Sequence, residues 1–265
     1  MVRASPARLV RAATPRHGRR AATVAACVPS KTPRVLCLHG GGTNTAIMRL
    51  QTAKLRAQLR DVEFDFIQGT VPMENIDAAL ERRFEGPFMS WYDVTHDAYE
   101  GRRDPAEYVK ALMDESVTFT YPHAEEAMAR VESHVESHGP YDALLGFSMG
   151  AILITLLTAS RLARARAGQG PPPSWRHNVL VCGMPVRAQQ YYSLLESPLD
   201  FPCTVAQGAQ DPLYAWCHRL AASYAEAEYL EYDDGHRFPH RLEDTRRLAA
   251  SVRRGLTELT AASGA

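Results

Sequence analysis

Several features are scarce or missing in this sequence, and each absence excludes a class of protein. Its 265 residues carry 30 basic and 30 acidic side chains, so the formal net charge of zero gives no general attraction to nucleic acid or anionic membrane. The five cysteines form no C-x-x-C pair, which argues against a zinc knuckle or a disulfide framework. There is also no N-x-S/T sequon. These absences favour a reducing, intracellular compartment, and we expect a cytoplasmic protein.

A long apolar run is missing as well. Residues 144–159 are nearly all uncharged, but this stretch is shorter than the roughly 20 apolar residues that a bilayer requires. Gly146, Ser148 and Gly150 interrupt it. We therefore predict no membrane span.

Acidic residues are missing from the start of the chain. Residues 1–33 contain six arginines among alanines and small polar residues, and the first carboxylate is Asp61. This composition fits a mitochondrial transit peptide, although Pro6 and Pro15 break the amphipathic helix that such a peptide forms. We predict a disordered extension over 1–33, with mitochondrial targeting as the alternative, and one folded domain over 34–265.

From Arg34 onward, apolar strand-like runs alternate with helical segments. Strands are predicted at 34–39, 62–67, 141–146, 178–182, 203–206 and 228–232, and helices at 45–60, 122–137, 149–164 and 241–259. This alternation predicts an α/β fold with a mainly parallel sheet of about six strands and helices on both faces. Ligands of such sheets bind at the carboxyl ends of the strands.

Residues 69–121 interrupt the alternation and are rich in aromatic side chains. The aromatics of this insertion include Phe88, Trp91, Tyr92, Tyr99, Tyr108, Phe119 and Tyr121. One interpretation is a cap that walls an apolar pocket, with Phe88, Trp91 and Tyr92 contacting the substrate. The alternative is that these rings only pack the insertion onto the sheet.

A candidate nucleophile lies between a predicted strand and a predicted helix. Gly146-Phe-Ser148-Met-Gly150 is a G-x-S-x-G sequence with an apolar run on either side. In a nucleophile elbow the glycines allow strand and helix to pass closely, and the serine lies at the tip of the turn. The motif alone is weak, but the predicted strand-turn-helix context makes it much more specific.

A serine nucleophile requires a base, and the base requires an acid to orient it. In this type of fold they follow in the order Ser, Asp, His, which selects Asp211 and His236, each directly after a predicted strand. Asp200 is a less favoured acid, and Asp233 and Asp234 more plausibly form the turn before His236. His218 and His240 are expected at the surface, and His39 is expected to brace the glycine turn that follows it.

The same reasoning predicts two backbone donors for an oxyanion. The N–H of Met149 follows the nucleophile, and the second donor is expected from the turn after the first strand, at Gly41 or next at Gly42. We also expect Gly42 to contact the substrate. A phosphate site in this glycine turn is the alternative, but neither G-x-G-x-x-G nor a Walker lysine is present.

Four stretches together resemble the FSH family of serine hydrolases, compact α/β-hydrolases that are frequent in fungi. The stretches are 36–40 (LCLHG), 139–151 (GPYDALLGFSMGA), 208–211 (GAQD) and 235–239 (GHRFP). The resemblance covers about 34–260. It implies an α/β-hydrolase fold, a triad of Ser148, Asp211 and His236, and hydrolysis of carboxylic esters or thioesters without metal or cofactor.

The resemblance also implies a substrate class. Several members of the family act beside fungal polyketide synthases and release the acyl chain from its carrier thioester, so an acyl-carrier domain is an expected partner. Two residues depart from the family pattern, Met149 for a usual glutamine and Asp234 for a frequent glycine. The alternatives are a general carboxylesterase and a catalytically silent binding module.

Overall fold

The described part of the chain alternates between strands and helices along the sequence. The computed structural model describes residues 32–73, 76, 78–96 and 105–257, with the backbone alone for 105–108. The predicted extension over 1–33 lies almost wholly outside the described residues, as do Tyr99 and the side chain of Tyr108. Its disorder, its targeting role and the cytoplasmic location therefore stay predictions.

The strands are β1 Arg34–Leu38, β2 Glu63–Ile67, β3 Val71–Pro72, β4 Met89–Ser90, β5 Thr95–His96, β6 Phe119–Thr120, β7 Ala143–Phe147, β8 His177–Val181, β9 Cys203–Gly208 and β10 Ala227–Tyr232. The helices are α1 Thr45–Gln51, α2 Ala53–Gln58, α3 Ala78–Glu81, α4 Pro105–Met113, α5 Ala124–His138, α6 Met149–Arg166, α7 Tyr214–Ala222 and α8 Leu242–Thr257, with a 3-10 turn at Gln189–Leu194.

Six strands form a parallel sheet in the order β10-β9-β8-β7-β1-β2. This confirms the predicted sheet and the α/β fold. The chain runs from β1 outward to β2, and then from β7 outward in the other direction, so the strand order reverses between β1 and β7. Ligands of open parallel sheets bind at the carboxyl ends of the strands beside such a reversal. The residues after Leu38 and Phe147 meet there.

Helices cover both faces of the sheet, as predicted. One apolar cluster joins the sheet to α1, α2 and α8, and its members include Met48, Leu55 and Leu248. The other joins the opposite face to α5, α6 and α7, and includes Val131 and Leu153. The two layers bury β7, β8 and β9 completely, which explains why β7 is a continuous apolar run.

The predicted helix over 45–60 is two short helices that meet at Thr52. The Thr52 hydroxyl donates to the carbonyl of Met48 at 2.8 Å, and a side-chain bond of this kind bends a helix. The other predicted elements lie within about two residues of the observed bounds, the usual uncertainty of helix and strand ends. In the part of the chain that is described, no helix combines the length and apolar character needed to cross a bilayer.

The insertion over 69–121 is described in part, and it packs at the carboxyl edge of the sheet. Two antiparallel ladders, β3 with β4 and β5 with β6, hold its described ends together. Trp91, Tyr92, Phe119 and Tyr121 are all buried in the apolar cluster of α5 and α6. The aromatic rings therefore do pack the insertion onto the body of the fold, and the cavity described below shows that two of them also wall a pocket.

Candidate active site

Ser148 lies in a tight turn between β7 and α6. Its backbone has φ 51° and ψ −116°, a conformation that an L-residue seldom adopts and that is held here by its neighbours. A Cβ on Gly146 would lie 2.5 Å from the backbone nitrogen of Ala151, and one on Gly150 would lie 2.5 Å from the carbonyl oxygen of Leu38. Both glycines are therefore required for the strand and the helix to approach.

The two partners predicted for Ser148 lie beside it. The Oγ atom of Ser148 is 3.0 Å from Nε2 of His236, and Nδ1 of His236 is 2.7 Å from Oδ2 of Asp211. The three residues follow β7, β9 and β10, so the parallel sheet brings their loops to one edge. In this arrangement Nδ1–H donates to the carboxylate, and the free lone pair of Nε2 accepts from the serine hydroxyl. The geometry is that of a serine activated by a general base.

The Asp211 carboxylate is completely buried, whereas one third of the His236 side chain, 33 %, is exposed. Burial alone would raise the pKa of Asp211, but the hydrogen bond and charge of His236 outweigh it and hold that pKa below its usual value. The N–H of Leu213 donates to the other carboxylate oxygen at 2.8 Å and acts in the same direction. Asp211 is thus ionised and fixed in place at neutral pH.

The loops that carry Asp211 and His236 pack against each other through their backbones. A Cβ on Gly208 would lie 2.4 Å from the carbonyl oxygens of Asp234 and Gly235, so only glycine fits there. Asp234 forms ion pairs with His240 and with Arg237, the latter at 3.1 Å. It therefore shapes the turn before His236, as predicted, in place of the glycine of the family pattern.

The glycine turn after β1 faces the same edge of the sheet. In the described part of the chain, neither the N–H of Gly41 nor that of Met149 donates a hydrogen bond to the protein. Both residues line the cavity at Ser148. Gly42 has φ +68°, which closes the turn and favours glycine. Two free donors beside a serine are able to bind an oxyanion.

His39 braces this turn, as predicted. Its Nδ1–H donates to the carbonyl of Gly40 at 2.8 Å, and its Nε2 accepts from the N–H of Gly69 at 3.0 Å. Only the neutral ring satisfies both bonds. Burial lowers the pKa of His39 to about 4. The indole N–H of Trp91 donates to the His39 carbonyl at 2.7 Å, so the insertion fixes the turn from outside.

A largely apolar cavity opens at Ser148 and encloses about 820 Å³ of space between atoms, its open mouth included. Its lining combines the insertion, α6 and the loops after β1, β8 and β9. The lining residues are Gly41, Met73, Ser90, Tyr92, Asp93, Val94, Leu112, Tyr121, Ser148, Met149, Ile152, Cys182, Met184 and Leu213. Such a cavity fits an apolar substrate group.

Of the residues predicted to contact substrate, Tyr92 lines this cavity and three others do not. Gly42, Phe88 and Trp91 are absent from its described lining. Gly42 forms the turn, Trp91 is buried against His39 with ring centroids 4.9 Å apart, and Phe88 lies half-buried before β4. A count of aromatics along the insertion does not distinguish rings that face the cavity from rings that support a loop.

Sequence reasoning missed the contacts that Cys182 makes at the site. Cys182 follows β8, and its sulfur lies 3.1 Å from the Tyr232 hydroxyl, which donates to the carbonyl of Arg237 at 2.6 Å. The thiol also donates to the carbonyl of Arg237 at 3.4 Å, in the residue after His236. Its position directly after a central strand was the available signal.

Cys182, Asp211 and His236 are also the group in the described part of the chain whose donor atoms are close enough for a metal ion, all within 4.8 Å of one another. Burial raises the pKa of the Cys182 thiol, and the Asp211–His236 hydrogen bond holds a proton between the other two. A cation would have to displace both protons. Proton transfer therefore fits this group better than metal binding.

The fold and the site geometry define the class as an α/β-hydrolase with a serine beside a histidine and an aspartate. Comparison with known proteins identifies the family: the profile of the family described as "Serine hydrolase (FSH1)" matches residues 29–248. The chain belongs to this family and is an enzyme, a serine hydrolase. The family resemblance found in the sequence is confirmed.

Relatives of similar sequence carry related names. The chain is 28% identical over 256 residues to "Esterase citA" of Monascus ruber, covering 85% of this chain and 93% of that protein. It is 29% identical over 215 residues to "Hydrolase phiM" of a fungal species, covering 77% and 85%.

Solved structures show the same fold. A carboxylesterase from Mesorhizobium loti matches with a TM-score of 0.54 at 17% identity, covering 84% of this chain and 89% of that chain. Acyl-protein thioesterase 2 of Zea mays also matches with a TM-score of 0.54, at 20% identity, covering 85% and 94%. At these identities the likeness extends to the α/β-hydrolase fold alone, which confirms the predicted fold class.

Proposed function

We propose that Ser148, His236 and Asp211 form the catalytic triad of an enzyme that cleaves acyl esters or thioesters through an acyl-enzyme. The contact that carries the proposal is the 3.0 Å distance between the Ser148 oxygen and Nε2 of His236. It is supported by the buried, ionised Asp211 at the other ring nitrogen and by the apolar cavity that begins at the serine.

In the proposed mechanism Ser148 Oγ attacks the acyl carbonyl while Nε2 of His236 takes the hydroxyl proton. Asp211 stabilises the resulting imidazolium, and the N–H groups of Gly41 and Met149 bind the oxyanion. His236 then gives its proton to the departing alcohol or thiol, which leaves the acyl group on Ser148. A water molecule, deprotonated by His236, attacks the carbonyl of this acyl-enzyme. When the bond to Ser148 breaks, His236 returns the proton to Ser148 Oγ, and the acid leaves.

For the substrate we propose a medium or long apolar acyl group, and in the narrower form an acyl chain made by a polyketide synthase and carried on its acyl-carrier domain. The apolar lining of the cavity supports the first statement. The family resemblance supports the second, and the names of the fungal relatives are in line with ester cleavage. A general carboxylesterase is the alternative, because the same triad cleaves both kinds of ester.

The triad proposal is tested by labelling with a fluorophosphonate probe. We expect the wild-type protein to be labelled and Ser148→Ala to remain unlabelled, since the probe reacts only with an activated serine. Ser137→Ala is a matched control, because Ser137 is an exposed serine on α5 and its loss leaves labelling unchanged. Equal labelling of wild type and Ser148→Ala would remove Ser148 from the proposed role.

The substrate class is tested by pairs of substrates that share one acyl chain. An octanoyl thioester of N-acetylcysteamine and an octanoyl p-nitrophenyl ester are compared by kcat/KM, followed by the same acyl group on an isolated acyl-carrier domain. The narrower proposal predicts the highest kcat/KM for the carrier-bound thioester. Faster turnover of the oxygen ester, with no gain from the carrier domain, would favour the general carboxylesterase.

A further inference from the structure

Arg187, in the loop after β8, is a buried cation without a carboxylate partner among the described residues. Only 5% of it is exposed. Its guanidinium donates to three backbone carbonyls, those of Leu112 at 2.6 Å, Asp114 at 2.7 Å and Val117 at 3.0 Å. All three carbonyls belong to the insertion, at the end of α4 and the turn after it. Because a buried charge is costly unless it is fully hydrogen-bonded, this contact holds Arg187 and the insertion in one arrangement.

The same guanidinium lies between two aromatic rings. Its Cζ is 5.0 Å from the ring centre of Phe119, in the insertion, and 4.5 Å from that of Trp216, in α7. The backbone N–H of Arg187 donates to the Tyr121 hydroxyl at 3.0 Å. Arg187 therefore joins the insertion to α7 through its side chain and its backbone together, and a flat guanidinium with five donors is the group that makes all these contacts at once.

Two residues that this contact holds also line the cavity at Ser148. The carbonyl of Leu112 accepts from the Arg187 guanidinium, and the hydroxyl of Tyr121 accepts from the Arg187 backbone N–H. Both residues line the cavity. Arg187 itself is absent from the described lining. A change at Arg187 thus reaches the substrate only through the wall of the cavity.

We propose that Arg187 is a positioning residue that fixes the insertion wall of the acyl cavity and thereby determines the selectivity for acyl-chain length. The inference rests on the proposed function, in which the acyl chain occupies this cavity. A short acyl group stays near Ser148 and does not reach the insertion wall, whereas a long one packs against it. A less rigid wall should therefore lower kcat/KM for long acyl chains more than for short ones.

The test compares p-nitrophenyl acetate with p-nitrophenyl decanoate in Arg187→Met. This variant keeps an apolar side chain of similar length and removes the guanidinium group. We expect kcat/KM for the decanoate to fall about tenfold, mainly through a higher KM, and that for the acetate to stay within about twofold. Arg219→Met is the matched control, because Arg219 stacks on the same Trp216 ring at 4.8 Å but is exposed and paired with Glu115. Arg219→Met should leave the ratio of kcat/KM for the decanoate to kcat/KM for the acetate unchanged.

Arg187→Lys is the second variant, in case Arg187→Met does not fold. It keeps the positive charge but not the planar guanidinium that reaches all three carbonyls. We expect the same selective loss, smaller in size, with a far-UV spectrum like that of the wild type. Equal losses for both esters in the folded variants, or no loss for either, would overturn the proposal. Failure of the proposed function itself is a different result, since wild-type protein would then hydrolyse neither ester.

Discussion

At the scale of single residues, the site depends on the tautomer of one imidazole ring. Asp211 accepts from Nδ1–H of His236 and from the N–H of Leu213, so both carboxylate oxygens are occupied and neither rotates freely. The ionised carboxylate therefore keeps the proton on Nδ1 and the lone pair of Nε2 directed at Ser148. The pKa of Asp211 lies below its usual value, so the carboxylate stays ionised from neutral pH into moderately acidic solution.

Asp211→Asn should therefore abolish most activity without disturbing the fold. An asparagine amide is able to donate to Nδ1, which moves the ring proton to Nε2 and removes the base from Ser148; the expected loss in kcat is about 10⁴-fold. Asp200→Asn is the control, since Asp200 is the exposed alternative acid and its loss should leave kcat unchanged. Steady-state kinetics on one p-nitrophenyl ester give kcat for both variants and for the wild type. Comparable losses in the two variants would contradict the assignment of the acid.

The meeting of Ser148, Asp211 and His236 could be predicted because each follows a strand of a parallel sheet, and such strand ends share one edge. The support that Ser90 and Trp91 give to the site could not be predicted. The Ser90 hydroxyl lies 2.9 Å from the Met149 sulfur, a contact across 59 positions that leaves no spacing pattern in the chain. Contacts of this kind depend on side-chain packing between distant loops.

At the scale of elements, the junction of β7 and α6 depends on a close approach to β1. A Cβ on Gly150 would lie 2.5 Å from the carbonyl oxygen of Leu38 and 2.7 Å from that of His39. Both are backbone atoms of the strand that leads into the glycine turn. The first turn of α6 therefore touches the segment that presents Gly41.

Gly150→Ala should consequently lower both stability and activity. The added methyl group has to push α6 away from β1, and we expect a loss of about 2–4 kcal/mol in the free energy of unfolding, with weaker fluorophosphonate labelling of Ser148. Gly170→Ala is the control, because a Cβ there would meet nothing within 4 Å, and its effect should stay within about 0.5 kcal/mol. Urea unfolding measures both. Equal stability of the two variants would show that the approach of α6 to β1 is not tight.

The six strands of the sheet were predictable because each is rich in apolar, β-branched or aromatic side chains and is bounded by turn residues. The four short strands of the insertion were not, because a two-residue ladder carries no periodicity. The break at Thr52 was also hidden. Its cause is a hydrogen bond of the threonine hydroxyl, and the apolar spacing of α1 and α2 continues through it.

At the scale of the whole molecule, the fold buries two neutral histidines at opposite ends of the sheet. His39 follows the carboxyl end of β1, and His177 is the first residue of β8, at the amino-terminal end of the strands. Nε2 of His177 is 2.8 Å from the Thr204 hydroxyl, which is 2.7 Å from that of Ser251, and Ser251 donates to Glu228 at 2.6 Å. The His177 ring packs directly on Gly255 of α8, where no Cβ would fit. Burial outweighs the attraction of Glu228 and lowers the pKa of His177 to about 4.

These two histidines should make the protein less stable in mild acid. The unfolded chain binds a proton at each histidine near pH 6.5, while the native protein does so only near pH 4, so the unfolded state gains protons first as the pH falls. Their contribution to stability is therefore complete above pH 6.5 and is lost between pH 6.5 and 4, by up to about 3 kcal/mol for each histidine.

The variant His177→Gln lacks the pH-dependent contribution of His177 to stability. The difference in unfolding free energy between wild type and His177→Gln should shrink by about 2–3 kcal/mol from pH 7 to pH 4.5. Gly170→Ala supplies the control, because it changes no titratable group and a Cβ there would meet nothing within 4 Å, so its difference from wild type should not change over this range. Urea unfolding at a series of pH values decides the matter, and parallel curves for wild type and His177→Gln would mean that His177 does not stay neutral in the native protein.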